Sequence, residues 1–323
     1  MKQPRDQMKR KSIPLLFEAM YHGKYEVEDF LFGEIASNYE ELTIKGRRVY
    51  RPNKKLKAYH GFLNTFVFEY LTINERVVFS YRKGINLRSA VMAHARSRSF
   101  LQSDLVSFFS SIDRALVKST LLTRSAEAPI IDLDEHVERI LDLITIQDML
   151  PMGFSTSPLI SNACLTGFDD ELEKTCLEQG VVYTRYADDI IISGSERNAV
   201  RDMQGLLPEI LNRHFLGKLR LNLSKSKLTH TGRKVKLLGM VILPSGQVTI
   251  DMDLKQRIEI LLHFYITNKE RFLALVHNDM KAGVEQLAGY VNYINAVDNA
   301  YLEKLQRKFG STVVDSFLHK SAS

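Results

Sequence analysis

Asp188 and Asp189 stand side by side inside an apolar, β-branched stretch, Val181-Val182-Tyr183-Thr184-Arg185-Tyr186-Ala187-Asp188-Asp189-Ile190-Ile191-Ile192-Ser193. An isolated Asp-Asp pair is ordinarily a solvated turn, because Asp bonds readily to its own neighbouring backbone. Two carboxylates held between apolar strands are different, since each loses hydration unless something positive neutralises it. A divalent cation is the economical answer. Asp104 closes another short apolar stretch, Ser99-Phe100-Leu101-Gln102-Ser103-Asp104-Leu105-Val106, and alone would read as a strand-end surface acid. Carboxylates converging from separate strands suit a phosphoryl-transfer site whose two metal ions lie roughly 3.5–4 Å apart. One ion would lower the pKa of an attacking hydroxyl, and the other would steady the leaving group.

Local patterns supply the elements that must hold these acids. The segment 99–106 reads as a strand, and 181–193 reads as a hairpin folded about its polar centre. Between them, Asp134, Glu135 and Glu138 sit in the first turn of a helix whose apolar positions are Val137, Ile140, Leu141 and Ile144. Ser157-Pro158 opens a second helix, with Leu165, Phe168, Leu172 and Cys176 forming a stripe up to Gly180. A helix through Val200, Met203 and Leu207 leads to a further hairpin, Lys236 to Ile242 and Val248 to Ile250, turning at Pro244-Ser245-Gly246. Beyond Asp253 the chain reads as helical to near its end.

Composition sets the outer bounds. The 323 residues are 45% hydrophobic and 25% charged, enough for a large core and against disorder. A formal net charge of +6 suits a polyanionic partner but is equally compatible with plain solvation. No apolar run is long enough to span a bilayer. The basic N-terminus (Lys2, Arg5, Lys9, Arg10, Lys11) meets only the short apolar run Ile13 to Phe17, a poor signal peptide, so a cytoplasmic protein with no membrane partner is expected. The two cysteines, Cys164 and Cys176, fall within one expected helix and read as buried thiols.

Three motifs together carry a family resemblance. Tyr186-Ala187-Asp188-Asp189 resembles the YxDD box of reverse transcriptases, Asp104-Leu105-Val106-Ser107-Phe108-Phe109 resembles their first palm motif, and Leu150 to Pro158 resembles the LPQGxxxSP motif between them. The resemblance runs from about Arg47 to the C-terminal helices. It implies an α+β right-hand fold with fingers, an antiparallel palm packed with helices, and a helical thumb. The expected divisions are 1–98 for the N-terminal region and fingers, 99–235 for the palm with an insertion at about 114–160, 236–252 for a primer-grip hairpin, and 253–323 for the thumb. It also implies an RNA-directed DNA polymerase working with two Mg²⁺ ions at Asp104, Asp188 and Asp189, with Leu105 counted among the metal-binding positions.

The same resemblance distributes further roles. Phe109 falls at the steric gate against the ribose 2′-hydroxyl, and Arg47 at the fingertip arginine that grips the dNTP triphosphate, where a guanidinium fork suits phosphate oxygens. Gly153 would let backbone approach the nucleotide. Met152 stands where Gln is usual, so contact by shape would replace a hydrogen bond. Lys225 matches the lysine thought to protonate pyrophosphate, with Lys227 as its rival. Arg82, Lys83 and His94 are candidates for template or primer contact, although His94 alone reads more readily as a structural histidine. Leu238-Gly239 corresponds to the primer grip.

The chain also resembles bacterial retron enzymes closely through Thr184 to Asp189 and Leu287-Ala288-Gly289-Tyr290-Val291-Asn292-Tyr293. Two retron elements are altered: NAxxH appears as Ala90-Val91-Met92-Ala93-His94, and VTG as Leu237-Leu238-Gly239. A retron enzyme implies a cognate structured noncoding RNA as template and primer source, a DNA product joined to it, and an effector protein in antiphage defence. A non-retron defence reverse transcriptase and an RNA-binding scaffold that restrains an effector are the alternatives.

Overall fold

A computed structural model describes residues 10–232 and 234–318, so Lys2, Arg5 and Lys9 of the basic N-terminus lie outside the described residues. The apolar run after them is a helix, Ile13–Tyr21, that buries Ile13, Leu16 and Phe17. A second short helix, Val27–Phe32, follows, and then a two-stranded antiparallel ribbon, β1 (Tyr39–Ile44) and β2 (Arg47–Pro52). Helix Lys54–Phe66 begins at Asn53, whose side chain accepts from the Leu56 amide. That bond satisfies one of the amides a helix start leaves open.

The centre is a four-stranded antiparallel sheet of β3 (Ser99–Asp104), β4 (Val182–Tyr186), β5 (Asp189–Gly194) and β6 (Lys227–His230), ordered β4-β5-β3-β6. Alternation along β3 and β5 gives this sheet two apolar faces. Leu101, Ile190 and Ile192 join a large core with Phe17, Phe62 and Phe168, while Phe100 and Ile191 point the other way into a second core. That second core belongs to a small antiparallel sheet, β7 (Val235–Leu237), β8 (Met240–Ile242) and β9 (Val248–Ile250), and to the five C-terminal helices between Met252 and Leu318. Among the described residues no helix is long and apolar enough to cross a membrane.

Three local expectations shift. The helix read from Asp134 starts at Val137, with His136 at its cap. The single helix read from Ser157 to Gly180 is two, Ser157–Cys164 and Thr166–Glu178. Leu165 leaves helical geometry at φ −94°, ψ 1°, and the Thr166 hydroxyl donates to the carbonyls of Ala163 and Thr72, a side-chain competition for backbone acceptors. The strand read over 236–242 is likewise interrupted, because Leu238-Gly239 forms a two-residue turn between β7 and β8. Both cysteines are buried and free, and burial pushes each thiol up to about 12, which leaves them unreactive.

Candidate active site

Asp104 and Asp189 are direct cross-strand partners at the open end of the central sheet, and their side chains therefore leave the same face. Asp188 belongs to the two-residue loop Ala187-Asp188 that joins Tyr186 to Asp189. Ala187 has φ +55°, a left-handed conformation uncommon for a residue with a Cβ. The Asp188 carbonyl accepts from the Leu105 amide at 3.1 Å, which ties the loop to the end of β3. The three acids thus meet where two strand ends and one tight turn coincide.

Their charges disturb one another. Lost hydration, then repulsion from Asp188 and Asp104, pushes the Asp189 carboxyl up to about 6. Lys225 offsets part of this excess: its Nζ lies 2.9 Å from Asp104 Oδ2, and Asn222 Nδ2 reaches the same oxygen at 3.4 Å. Among the described residues no three acid, imidazole or thiol side chains close around a single point as a ready metal cage. Mg²⁺ seldom needs one, since it commonly takes one or two carboxylates and completes its octahedron with water and substrate phosphates. Excess negative charge at an open oxygen-donor site fits a divalent ion shared with a phosphate-bearing substrate.

Two cavities open from the acids. The first, about 570 Å³, runs from Asp104 and Asp188 past Leu105, Phe109 and Met152 to Arg47 and Arg48 on β2, with Lys225 on its wall. Arg47 is exposed and makes no ion pair among the described residues, whereas Arg48 pairs with Glu41 at 3.1 Å. The second cavity, about 580 Å³, takes in Asp104, Asp188 and Asp189 and runs to Gln102, Lys227 and Leu238. Leu238 (φ +49°) and Gly239 (φ +84°) both lie in the left-handed region, as a type I′ hairpin turn requires. A leucine there is held against its own preference, and its side chain is displayed toward the acids.

Several expected roles change in this setting. Gly153 lines neither cavity: at φ +104° it packs on β2, where an added Cβ would meet the Tyr50 carbonyl oxygen at 2.3 Å. The adjacent Met152 carbonyl accepts from the Tyr50 amide at 2.8 Å, so this pair of residues seats the ribbon that carries Arg47. His94, expected at the template or primer, is fully buried between the hydroxyls of Ser193 (2.6 Å) and Thr184 (2.7 Å), out of reach of any nucleic acid. Arg82 is also largely enclosed, donating to the carbonyls of Glu75 and Val78 and to the Glu75 carboxylate. Lys83 stays at the surface, paired with Glu69 at 2.7 Å. Gln147, Asn222 and Gln102 also face the cavities; Gln102 and Asn222 stand two and three residues before Asp104 and Lys225, a proximity that marks them in the sequence.

Burial holds His94 down to about 3 and His60 down to about 4. Both folded values lie below the unfolded one near 6.5, so the unfolded chain takes up these protons first and stability falls as pH drops below about 6.5. Each histidine adds a slope of up to roughly 1.4 kcal/mol per pH unit, His60 down to about 4 and His94 to about 3. Urea unfolding at pH 7.5, 6, 5 and 4.5 should therefore be less pH-sensitive in His94→Gln than in the parent, although the variant is weaker at pH 7.5. Equal pH slopes would mean that His94 is not buried in its neutral form.

Residues 44–242 match the family described as reverse transcriptase (RNA-dependent DNA polymerase). The chain is similar to the retron Ec83 reverse transcriptase of Escherichia coli, 23% identical over 283 residues, spanning 85% of this chain and 86% of the relative. Similarity to the retron Ec73 reverse transcriptase of Escherichia coli is 27% over 274 residues, spanning 81% and 83%. A solved telomerase from Candida albicans overlays with TM-score 0.47 and 10% identity, over 86% of this chain and 56% of that one.

Proposed function

The chain belongs to the reverse transcriptase (RNA-dependent DNA polymerase) family, with its right-hand α+β fold, and from that premise we propose that it is a retron-type enzyme. In this reading it copies a cognate structured noncoding RNA into DNA that stays joined to it, in antiphage defence alongside an effector protein. The polymerase activity and an RNA template follow from the family itself. The retron assignment is supported by relatives of that kind matched over more than four-fifths of both chains.

One observation carries the reading of the site: Asp104 and Asp189 are cross-strand partners beside Asp188, at the junction of two cavities. We assign the first cavity to the incoming dNTP and the second to the primer end. Two bound Mg²⁺ ions would activate the primer 3′-hydroxyl and neutralise charge on the departing pyrophosphate. The three aspartates hold that charge in place, with Leu105 beside them. Arg47 grips the triphosphate, Phe109 and Met152 shape the sugar pocket, and Leu238-Gly239 steadies the primer. Lys225 already touches Asp104 and is placed to give a proton to pyrophosphate once the acid has another counter-charge. We assign 1–98 to the N-terminal region and fingers, 99–235 to the palm with a fingers insertion at about 114–160, 236–252 to the primer-grip hairpin and 253–323 to the helical thumb.

The test is the nucleic acid that copurifies with the protein expressed beside its native neighbouring sequence. A single RNA species carrying branched DNA is the expected result. DNA without a fixed RNA would replace the retron reading with a non-retron defence polymerase.

A further inference from the structure

Strand β4 carries an arginine where its alternation calls for an apolar residue. Tyr183 and Arg185 both point away from the face that bears Asp104 and Asp189, into the large core, and Arg185 is 0% exposed. A charge so placed is retained only if its partners are complete. Arg185 Nε and Nη2 donate to the two oxygens of Asp169 at 2.8 and 2.6 Å, while Nη1 donates to Asn162 Oδ1 at 3.1 Å. Asp169 is further fixed by the Tyr183 hydroxyl at 2.7 Å, and the Asn162 amide by the Ser80 carbonyl at 2.9 Å.

The remaining bond has a different destination. Arg185 Nη1 also donates to the carbonyl of Ala187 at 3.1 Å, the first residue of the turn that presents Asp188. The next carbonyl, that of Asp188, is held by the Leu105 amide at 3.1 Å. Two successive peptide groups are thus anchored, one by the end of β3 and one from beneath the sheet. With both fixed, the backbone cannot rotate to let the mutually repelling acids splay. Ala187 needs such an anchor, because its φ of +55° is not a conformation alanine chooses unaided.

We propose that Arg185, seated by Asp169 and Asn162, is a positioning residue that locks the Ala187-Asp188 turn and so sets the spacing of the metal-holding carboxylates. The proposal rests on reading those carboxylates as the metal site. Neutralised by Asp169, Arg185 acts through geometry rather than by attracting charge.

The test replaces the buried pair with apolar groups of similar volume, Arg185→Met with Asp169→Leu, a change that commonly leaves a fold intact. Thermal midpoint, nucleic-acid affinity and polymerisation rate across a Mg²⁺ titration are measured beside the parent. The expected result is a folded protein with near-parental affinity for nucleic acid, a rate down roughly a hundredfold, as an ångström-scale misplacement produces, and a higher half-saturating Mg²⁺ concentration. Parental rate and Mg²⁺ dependence in the folded variant would overturn the proposal. Should the apolar pair not fold, Arg185→Lys decides: one ammonium can still neutralise Asp169 but cannot also hold Ala187, so the same kinetic losses support the lock and parental kinetics refute it. Failure of the metal-site reading looks different, since Asp188→Asn with Asp189→Asn would then polymerise normally.

Discussion

Changing Asp188 and Asp189 together to asparagine is expected to lower DNA synthesis by at least about a thousandfold and, in the same protein, to raise the stability of the metal-free fold at neutral pH. Asparagine keeps the size of each side chain and the turn's local hydrogen bonding, so the Ala187 and Asp188 carbonyls keep their anchors. What disappears is the concentrated negative charge that pushes Asp189 up to about 6. The sign of the stability effect follows from that direction. A carboxyl whose folded pKa exceeds its unfolded value near 3.9 is neutral in both states below that value and costs nothing there, but opposes folding as pH rises from it through about 6. The variant should therefore melt above the parent at pH 7.5 and alongside it near pH 4, both without added metal. Asp189 is open to solvent on the cavity side, so the gain is expected at the scale of about 1 kcal/mol rather than the full shift. Primer extension and thermal melts at the two pH values check both halves. Synthesis at the parental rate by a folded double variant would remove these residues from the metal site.

The elements legible in the sequence are those whose signals are local. Strand β3, the β4–β5 hairpin and the helix Arg197–Phe215 each announce themselves within a dozen or so residues through alternation, β-branching or an apolar stripe. Adjacent acids in an apolar hairpin are a local contradiction, and such contradictions mark sites. What stayed hidden depends on partners distant in the chain. His94 is structural because Thr184 and Ser193, 90 and 99 residues later, close around it, and nothing near His94 indicates that. Arg82 bends back on carbonyls only four to seven residues away, a conformation that leaves no periodic trace. The Leu238-Gly239 turn has a weak local signal, because leucine at a left-handed position runs against turn chemistry and only Gly239 suits it. Arg185 is a local contradiction of the same kind, a charge on the core face of an apolar strand within 181–193, but the partners that explain it, Asn162 and Asp169, lie outside that hairpin.

Under the roles proposed above, Gly153→Ala should disable the enzyme through the β1–β2 ribbon that carries Arg47 rather than through the three aspartates. At φ +104° alanine is already strained, and the added methyl would lie 2.3 Å from the Tyr50 carbonyl oxygen and 2.9 Å from Val49 Cγ1. The first of these neighbours is backbone, which cannot rotate aside, so β2 itself must move. Tyr50 is buried, packs edge-on against Tyr39 at 5.8 Å, and bonds to the Met152 carbonyl, which makes that movement costly. A loss of about 3 kcal/mol in stability is expected. Because Arg47 starts the same strand three residues before Tyr50, the displacement also carries the fingertip away from the first cavity. The dNTP KM should rise by roughly tenfold or more, while RNA binding and half-saturating Mg²⁺ change little, since Asp104, Asp188 and Asp189 lie on other strands. Gly46→Ala is the matched control: it too sits at positive φ, +74°, but nothing lies within 4 Å of the new methyl, so only a backbone cost of about 1 kcal/mol is expected there. If folded Gly153→Ala kept a parental dNTP KM, the contact with Tyr50 would not be what positions Arg47, and the fingertip would have to be held by the β1–β2 pairing alone.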